Sequence, residues 1–281
     1  MKSAFQKDEV FLADVRRTLN SGGCKLWWLG QSGFLIVQND RAIVLDPYLS
    51  DSLTRKYERT DKPHVRMTER VVEPEALGAL GVLDLITSSH NHTDHLDAET
   101  LIPLFASNPL AKFVVPGANR SFALEQLGTS VKPEVIDLEA GTSIRAGEFE
   151  ITGVAAAHPA VERDARGRCL FLGYVIRWGK LSLYHSGDTI LHPDLVPSLK
   201  PFAPGLALLP INGDRPERRV AGNLDGRQAA RLAQEISARC AIPCHYDLFE
   251  FNTASPDEFI AECRRLGQDF RILRNGEGFD L

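Results

Sequence analysis

The chain has 281 residues, 43% hydrophobic and 25% charged, the balance of an ordinary folded protein with a sizeable core. Its formal net charge of −5 argues against a broadly basic, nucleic-acid-binding surface. No apolar run approaches the roughly 18 residues that a membrane span needs. The opening MKSAFQKDEVFLADVRRTLN lacks a continuous apolar centre and reads as a short amphipathic helix rather than a signal peptide, so residues 1–22 are expected to form a helical extension. The cysteines (Cys24, Cys169, Cys240, Cys244, Cys263) are odd in number and form no CxxC pair, which points to reduced thiols in a cytoplasmic protein.

In chain order, KLWWLGQSGFLIVQNDRAIVLDP (25–47) reads as three strands, with Asn39-Asp40 as a hairpin turn. LDLITSS (83–89) is a buried strand followed by a helix near 97–107, and KFVVP (112–116) leads into a helix over 118–128. A second set of hairpins runs from 141–158 to 169–188, with turns at Gly147 and Gly179. The last third alternates again: strand 206–211, helix 224–239, strand 240–245, helix 255–267. In the final helix Phe259, Ile260, Cys263 and Leu266 recur at helical spacing and face a core. Two groups of strands interleaved with helices predict an α/β fold, two sheets packed face to face with helices outside, in a single domain over 1–281.

The polar residues of interest follow apolar strands. His90 follows LITSS, His158 follows ITGVAAA, Asp188 follows LSLYHSG, and His245 follows AIPC. Rigid strands carry functional loops at their ends, and strands sharing a sheet edge bring such residues together. His90 and His92 are two apart and face one side of an extended segment, while Asp94 and His95 fall where the chain turns towards a helix. Imidazole and carboxylate suit a divalent transition metal such as zinc or manganese, and two offset ligand sets fit a two-metal centre. A lone histidine is more often a satisfied hydrogen-bonder, but His90, His92 and His95 fall within six residues. Asp188 alone could equally close a turn, and Asp97 could cap the following helix or hold a ligand histidine.

HNHTDH matches the HxHxDH signature of the metallo-β-lactamase superfamily, and the chain is similar to that superfamily along nearly its whole length. In order come LDP with Asp46, SHNHTDHLD, the AAAHP histidine, HSGDT, and a histidine after a late strand. The resemblance implies a four-layer αββα sandwich with two mixed sheets and a metal site at one edge of both. It implies that His90, His92 and His158 hold one ion, that Asp94, His95 and His245 hold the other, and that Asp188 bridges them. Zinc or manganese is the expected metal, with iron less favoured. Asp46, Asp97 and His185 are expected to support the ligands from behind. KLWWLGQSGFLI, LSLYHSGDT and AIPCHYDLFEFNTASPDEF resemble the ascorbate-6-phosphate lactonase-like branch, whereas HNHTDHLD also resembles a phospholipase-D-like branch that cleaves phosphodiesters.

The activity so implied is hydrolysis by a metal-bound hydroxide of an ester-like substrate, a lactone of an anionic sugar derivative, with a small or lipid-derived phosphodiester as the alternative. Two divalent ions bring the pKa of a bridging water from about 16 towards neutrality. Asp94 is the candidate for orienting the nucleophile and passing a proton to the leaving alkoxide. For the substrate, Arg215, Arg218 and Arg219 in NGDRPERRVAGN (212–223), together with Asn223, could clamp a phosphate or carboxylate; a solvated loop is the competing reading. Tyr246 could donate to an oxyanion or simply pack in the core. Trp27 and Trp28 should point to opposite faces of a strand. His64 and His192 have no evident partners. The expected partner is a small anionic molecule, with no nucleic acid and no membrane; a homo-oligomer is compatible with the composition.

Overall fold

The computed structural model describes residues 1–281. Strands β1 (Cys24–Gly30), β2 (Gly33–Gln38), β3 (Arg41–Leu45), β4 (Leu83–Thr87), β5 (Lys112–Pro116) and β6 (Glu134–Leu138) form one sheet in that order. Strands β7 (Ser143–Ala146), β8 (Phe149–Ala155), β9 (Leu172–Trp178), β10 (Leu181–His185), β11 (Leu206–Pro210) and β12 (Cys240–Cys244) form the second. The short β13 (Gly278–Asp280) returns to the first sheet beside β1. Both sheets are mixed. Hairpins make β1–β3 antiparallel, and crossovers make β3–β6 parallel. The second sheet mirrors this, antiparallel over β7–β10 and parallel over β10–β12. The two-sheet, helix-flanked fold expected from the sequence is the one observed.

Alternation along the strands sorts side chains into layers. Leu26, Trp28, Phe34, Ile36, Ile43 and Leu45 enter the core between the sheets, where they meet Ile151, Tyr174 and Ile176. Their neighbours Trp27, Leu29, Leu35, Val37 and Val44 enter a separate apolar layer on the other face. Trp27 and Trp28 are both fully buried and divided between the two layers.

Helices α1 (Asp8–Ser21), α2 (Ser52–Tyr57), α3 (Pro74–Gly78), α4 (Ala98–Ser107) and α5 (Arg120–Leu127) belong to the first half of the chain; α6 (Leu195–Leu199), α7 (Gly226–Glu235) and α8 (Asp257–Leu266) belong to the second. Phe11, Leu12 and Val15 of α1 sit in the outer layer with Trp27, so the N-terminal helix is packed into the fold. Asp97 caps α4, and Asp225 with Gln228 forms a capping box at α7. No helix is long and apolar enough to cross a membrane. Short α2, α3 and α6 and the strands β6 and β13 are additions to the sequence reading.

Candidate metal centre and pocket

The polar cluster lies where strands from both sheets end. The turn after β4 supplies His90, His92, Asp94 and His95, while the ends of β8, β10 and β12 supply His158, Asp188 and His245. Gln31, Asp46 and His245 adopt left-handed backbone with φ of 50°, 40° and 62°. Such conformations are uncommon for side-chain-bearing residues and cluster where geometry is functional.

The donors of His90, His92 and His158 lie within 4.8 Å of one another, as do those of Asp94, His95 and His245. Asp188 reaches both sets: Oδ1 is 3.3 Å from His95 Nε2, and Oδ2 is 3.3 Å from His245 Nε2 and 3.6 Å from His158 Nε2. Phe171 packs against the first three rings at 5.0 to 5.8 Å and walls them off on one side.

Behind this layer, Asp46 Oδ2 lies 2.8 Å from His95 Nδ1, so the carboxylate accepts the ring proton and turns Nε2 towards the cluster. Asp46 is itself held by Thr87 Oγ1, the Ser89 backbone N–H and the Ser89 hydroxyl. His158 Nδ1 donates to the Gly222 carbonyl at 2.8 Å. Gln31 Nε2 donates to Asp94 Oδ2 at 2.8 Å and lies 3.2 Å from His245 Nε2. In the sequence, Gln31 is marked only by the GQSG turn between two strands.

The electrostatics favour positive charge at the centre of the cluster. Burial opposes a charge on His95, yet Asp188, Asp94 and Asp46 outweigh it and hold its pKa well above that of free imidazole. Burial likewise opposes the carboxylate of Asp188, but His245 and His95 hold its pKa well below the usual range. His90, desolvated and surrounded by other rings, is pushed well down and stays neutral. Nε2 of His90, Nε2 of His95 and Oδ1 of Asp188 are buried without a hydrogen-bond partner. Buried polar atoms are rarely left so, and imidazole and carboxylate donors converging on shared points fit divalent transition metals.

Other expected positions fall elsewhere. Asp97 spends its carboxylate on Thr100 and on Ser52 Oγ at 2.9 Å, and forms no bond to a ligand histidine. His185 Nε2 donates to the Ser32 carbonyl at 2.9 Å and its ring meets the edge of Phe34, so it braces the β1–β2 turn rather than a ligand. Tyr246 is buried against Trp28 and donates to the Leu273 carbonyl at 2.5 Å, which leaves no proton for an oxyanion. The guanidinium of Arg218 is used up on the Asn212 and Thr253 carbonyls and on Asn252 Oδ1. Arg219 pairs with Asp61, and Arg215 is exposed on a short turn. Asn223 is buried and donates to Asn212 Oδ1 at 3.0 Å. None of Arg215, Arg218, Tyr246 and Asn223 lines the pocket; the 212–223 loop contributes Val220 and Ala221 instead.

That pocket has a volume of about 390 Å³, and His92, Asp94, His158, Asp188, His245 and Gln31 are among its lining. A larger cavity of about 780 Å³ lies between Cys24, Gly179, Leu206 and Phe279, lined by none of the cluster residues.

Known proteins are similar to this chain in sequence and in fold. A UPF0173 metal-dependent hydrolase of Rubrobacter xylanophilus is 29% identical over 91% of this chain and 96% of its own. The structure of a possible metal-dependent hydrolase from Veillonella parvula superposes with a TM-score of 0.71 at 15% identity, covering 92% of this chain and 100% of its own. An isothiocyanate hydrolase from Delia radicum gut bacteria gives 0.69 at 17% identity, covering 92% and 99%. The family model described as a β-lactamase superfamily domain matches residues 41–246, a span that holds all seven candidate ligands. The chain belongs to the metallo-β-lactamase superfamily and is one of its metal-dependent hydrolases.

Proposed function

We propose that this pocket hydrolyses an ester-like bond at a two-metal centre, with a lactone as the first substrate to try, in line with the lactonase-like stretches of the sequence. His90, His92 and His158 would hold one ion, Asp94, His95 and His245 the other, and Asp188 both. When bound, zinc or manganese would polarise the substrate oxygen and lower the pKa of bound water towards neutrality. The observation that carries this reading is the convergence of seven donor residues, three of their atoms buried without partners and five of the residues lining the pocket.

The chain's own residues supply positioning and proton handling. Asp46 fixes the orientation of the His95 ring, and the Gly222 carbonyl fixes that of His158. Asp94 lines the pocket and takes a hydrogen bond from Gln31, a placement suited to carrying a proton to the departing alkoxide. The anionic-sugar part of the expectation loses its support, because the arginines meant to hold a phosphate are engaged or turned away.

Turnover of a lactone panel, measured beside bis(p-nitrophenyl) phosphate with the bound metals quantified, tests the reading. Hydrolysis of at least one lactone with two equivalents of metal is the expected result. Activity confined to the phosphodiester would overturn the choice of substrate.

A further inference from the structure

Opposite the metal-facing residues, the pocket is walled by rings. His64 stacks on Tyr57 with centroids 4.2 Å apart and planes 23° from parallel. It also meets Phe251 at 4.4 Å and Phe249 at 5.2 Å, and Phe249 continues to Tyr48 at 5.9 Å. The rings come from two excursions of the chain that are tied together by backbone. Glu250 N–H donates to the Val65 carbonyl at 3.0 Å and Met67 N–H to the Leu248 carbonyl at 2.7 Å. Thr54 Oγ1 donates to the His64 carbonyl at 2.8 Å, which ties α2 to the same wall. The surface is therefore formed before any ligand arrives, and ordering costs on binding are small.

Two further features complete it. Phe122 and Val220, each 37% exposed, line the same pocket from separate elements and leave apolar surface at its mouth. Lys56 is the only lysine or arginine in the lining; its Nζ stands 5.4 Å from the Tyr57 ring centroid. His64 adds no charge at neutral pH, since burial lowers its pKa. A wall of rings, with Tyr57 and His64 near-parallel and Phe251 tilted against them, beside one exposed cation is poorly matched to a polyhydroxylated sugar phosphate. It suits a ring that stacks and a single anionic group that reaches the lysine.

We propose that the Tyr57–His64–Phe251 wall and Lys56 form the specificity subsite of this centre, and that its substrates are esters of a planar ring bearing one carboxylate. The inference rests on the hydrolase reading above. In the reaction, oxygen from water joins the acyl carbon, the acyl carbon–oxygen bond breaks, and the departing oxygen takes a proton. For 4-acetoxybenzoate the products are acetate and 4-hydroxybenzoate.

The test uses the metal-loaded protein and two readouts. Calorimetry measures binding of 4-hydroxybenzoate, of phenol as the uncharged ring, and of acetate as a carboxylate without a ring. Kinetics compare 4-acetoxybenzoate, phenyl acetate and a sugar-phosphate lactone. The expected order of binding is 4-hydroxybenzoate, then phenol, then acetate. Phe251→Ala should weaken 4-hydroxybenzoate about five- to tenfold, and Phe251→Leu, which keeps most of the volume, should do the same through loss of the ring face. Lys56→Gln should narrow the preference for the charged over the uncharged ring by about tenfold. Ring binding that responds to these variants while no ester turns over would support the subsite and sink the hydrolase reading. Turnover of sugar lactones with acetate binding as well as 4-hydroxybenzoate, and with all three variants silent, would overturn the subsite and leave the hydrolase reading standing.

Discussion

Asp46 and His95 are joined by a 2.8 Å bond between Oδ2 and Nδ1, and both side chains are fully buried. They stand forty-nine positions apart, one after β3 and one after β4. The parallel pairing of those strands, Leu45 beside Thr87, brings them together. An asparagine at 46 keeps the shape and loses the charge that fixes the ring proton on Nδ1. Asp46→Asn should weaken metal binding by about ten- to a hundredfold, read by competition with a chromophoric chelator. Unchanged affinity would mean that the ring is held by packing alone.

Asp188 touches rings of both ligand sets, whereas His92 belongs to one. Asp188→Ala should therefore abolish loading of both ions and all turnover. His92→Ala should abolish turnover and remove at least one equivalent of metal. Plasma emission analysis of the purified variants reads the metal content directly, and either variant with full metal and full activity refutes the assignment.

Gly187 sits between these elements with φ of +57°, and a Cβ there would fall 2.4 Å from Cβ and Oγ of Ser89. Ser89 donates to Asp46, so crowding it displaces the support of His95. Gly187→Ala should cost about 2 to 4 kcal/mol through the left-handed backbone and the overlap together, seen in urea unfolding of the metal-free protein. A loss below 1 kcal/mol, on the order of a tolerated surface change, would show that the loop yields.

Glu262, nearly buried on α8, accepts from Arg231 Nε at 2.7 Å and from Arg265 Nε at 2.8 Å. The bonds from Arg265 and Arg231 bring its carboxyl down to about 2. A lowered folded-state pKa stabilises the protein above the unfolded value of about 4.3, and that stabilisation is lost as pH falls towards the folded value. The urea midpoint of the wild type should therefore drop between about pH 4.3 and 2 more steeply than that of Glu262→Gln. Parallel curves would rule out this pair of arginines as the cause.

The polar cluster was legible because its residues are chemically specific and locally dense. Three histidines within six residues mark a site in one dimension, and the apolar runs before His158, Asp188 and His245 mark strand ends. The layer sorting of Trp27 and Trp28 followed from period-two alternation. Arg218 was misread for a definite reason: a guanidinium's partners here are the carbonyls of Asn212 and Thr253, and backbone acceptors leave no trace in residue type. Asp97 is the helix cap that its position suggested, whereas His185 donates to the backbone carbonyl of Ser32 in a distant turn rather than supporting a ligand. The ring wall was invisible because Tyr57 ends the short α2 while His64 and Phe251 lie in irregular stretches, and the three meet only through tertiary pairing. Short α2 and β13 carry too few residues to show a period.

The seven donors are divided between the sheets, four after a strand of the first and three at strand ends of the second. Ions held there would act as a rivet through one end of the sandwich. The opposite end, around Cys24 and Leu206, has none of these donors and holds a cavity of about 780 Å³. Chelation should then melt the molecule unevenly, with amide protons at the ends of β4, β8, β10 and β12 exchanging faster and those of α7 and α8 holding back. A protein fastened at one end in this way makes its stability a gauge of metal supply, and starvation for the ion would register as a shorter lifetime as well as lost activity.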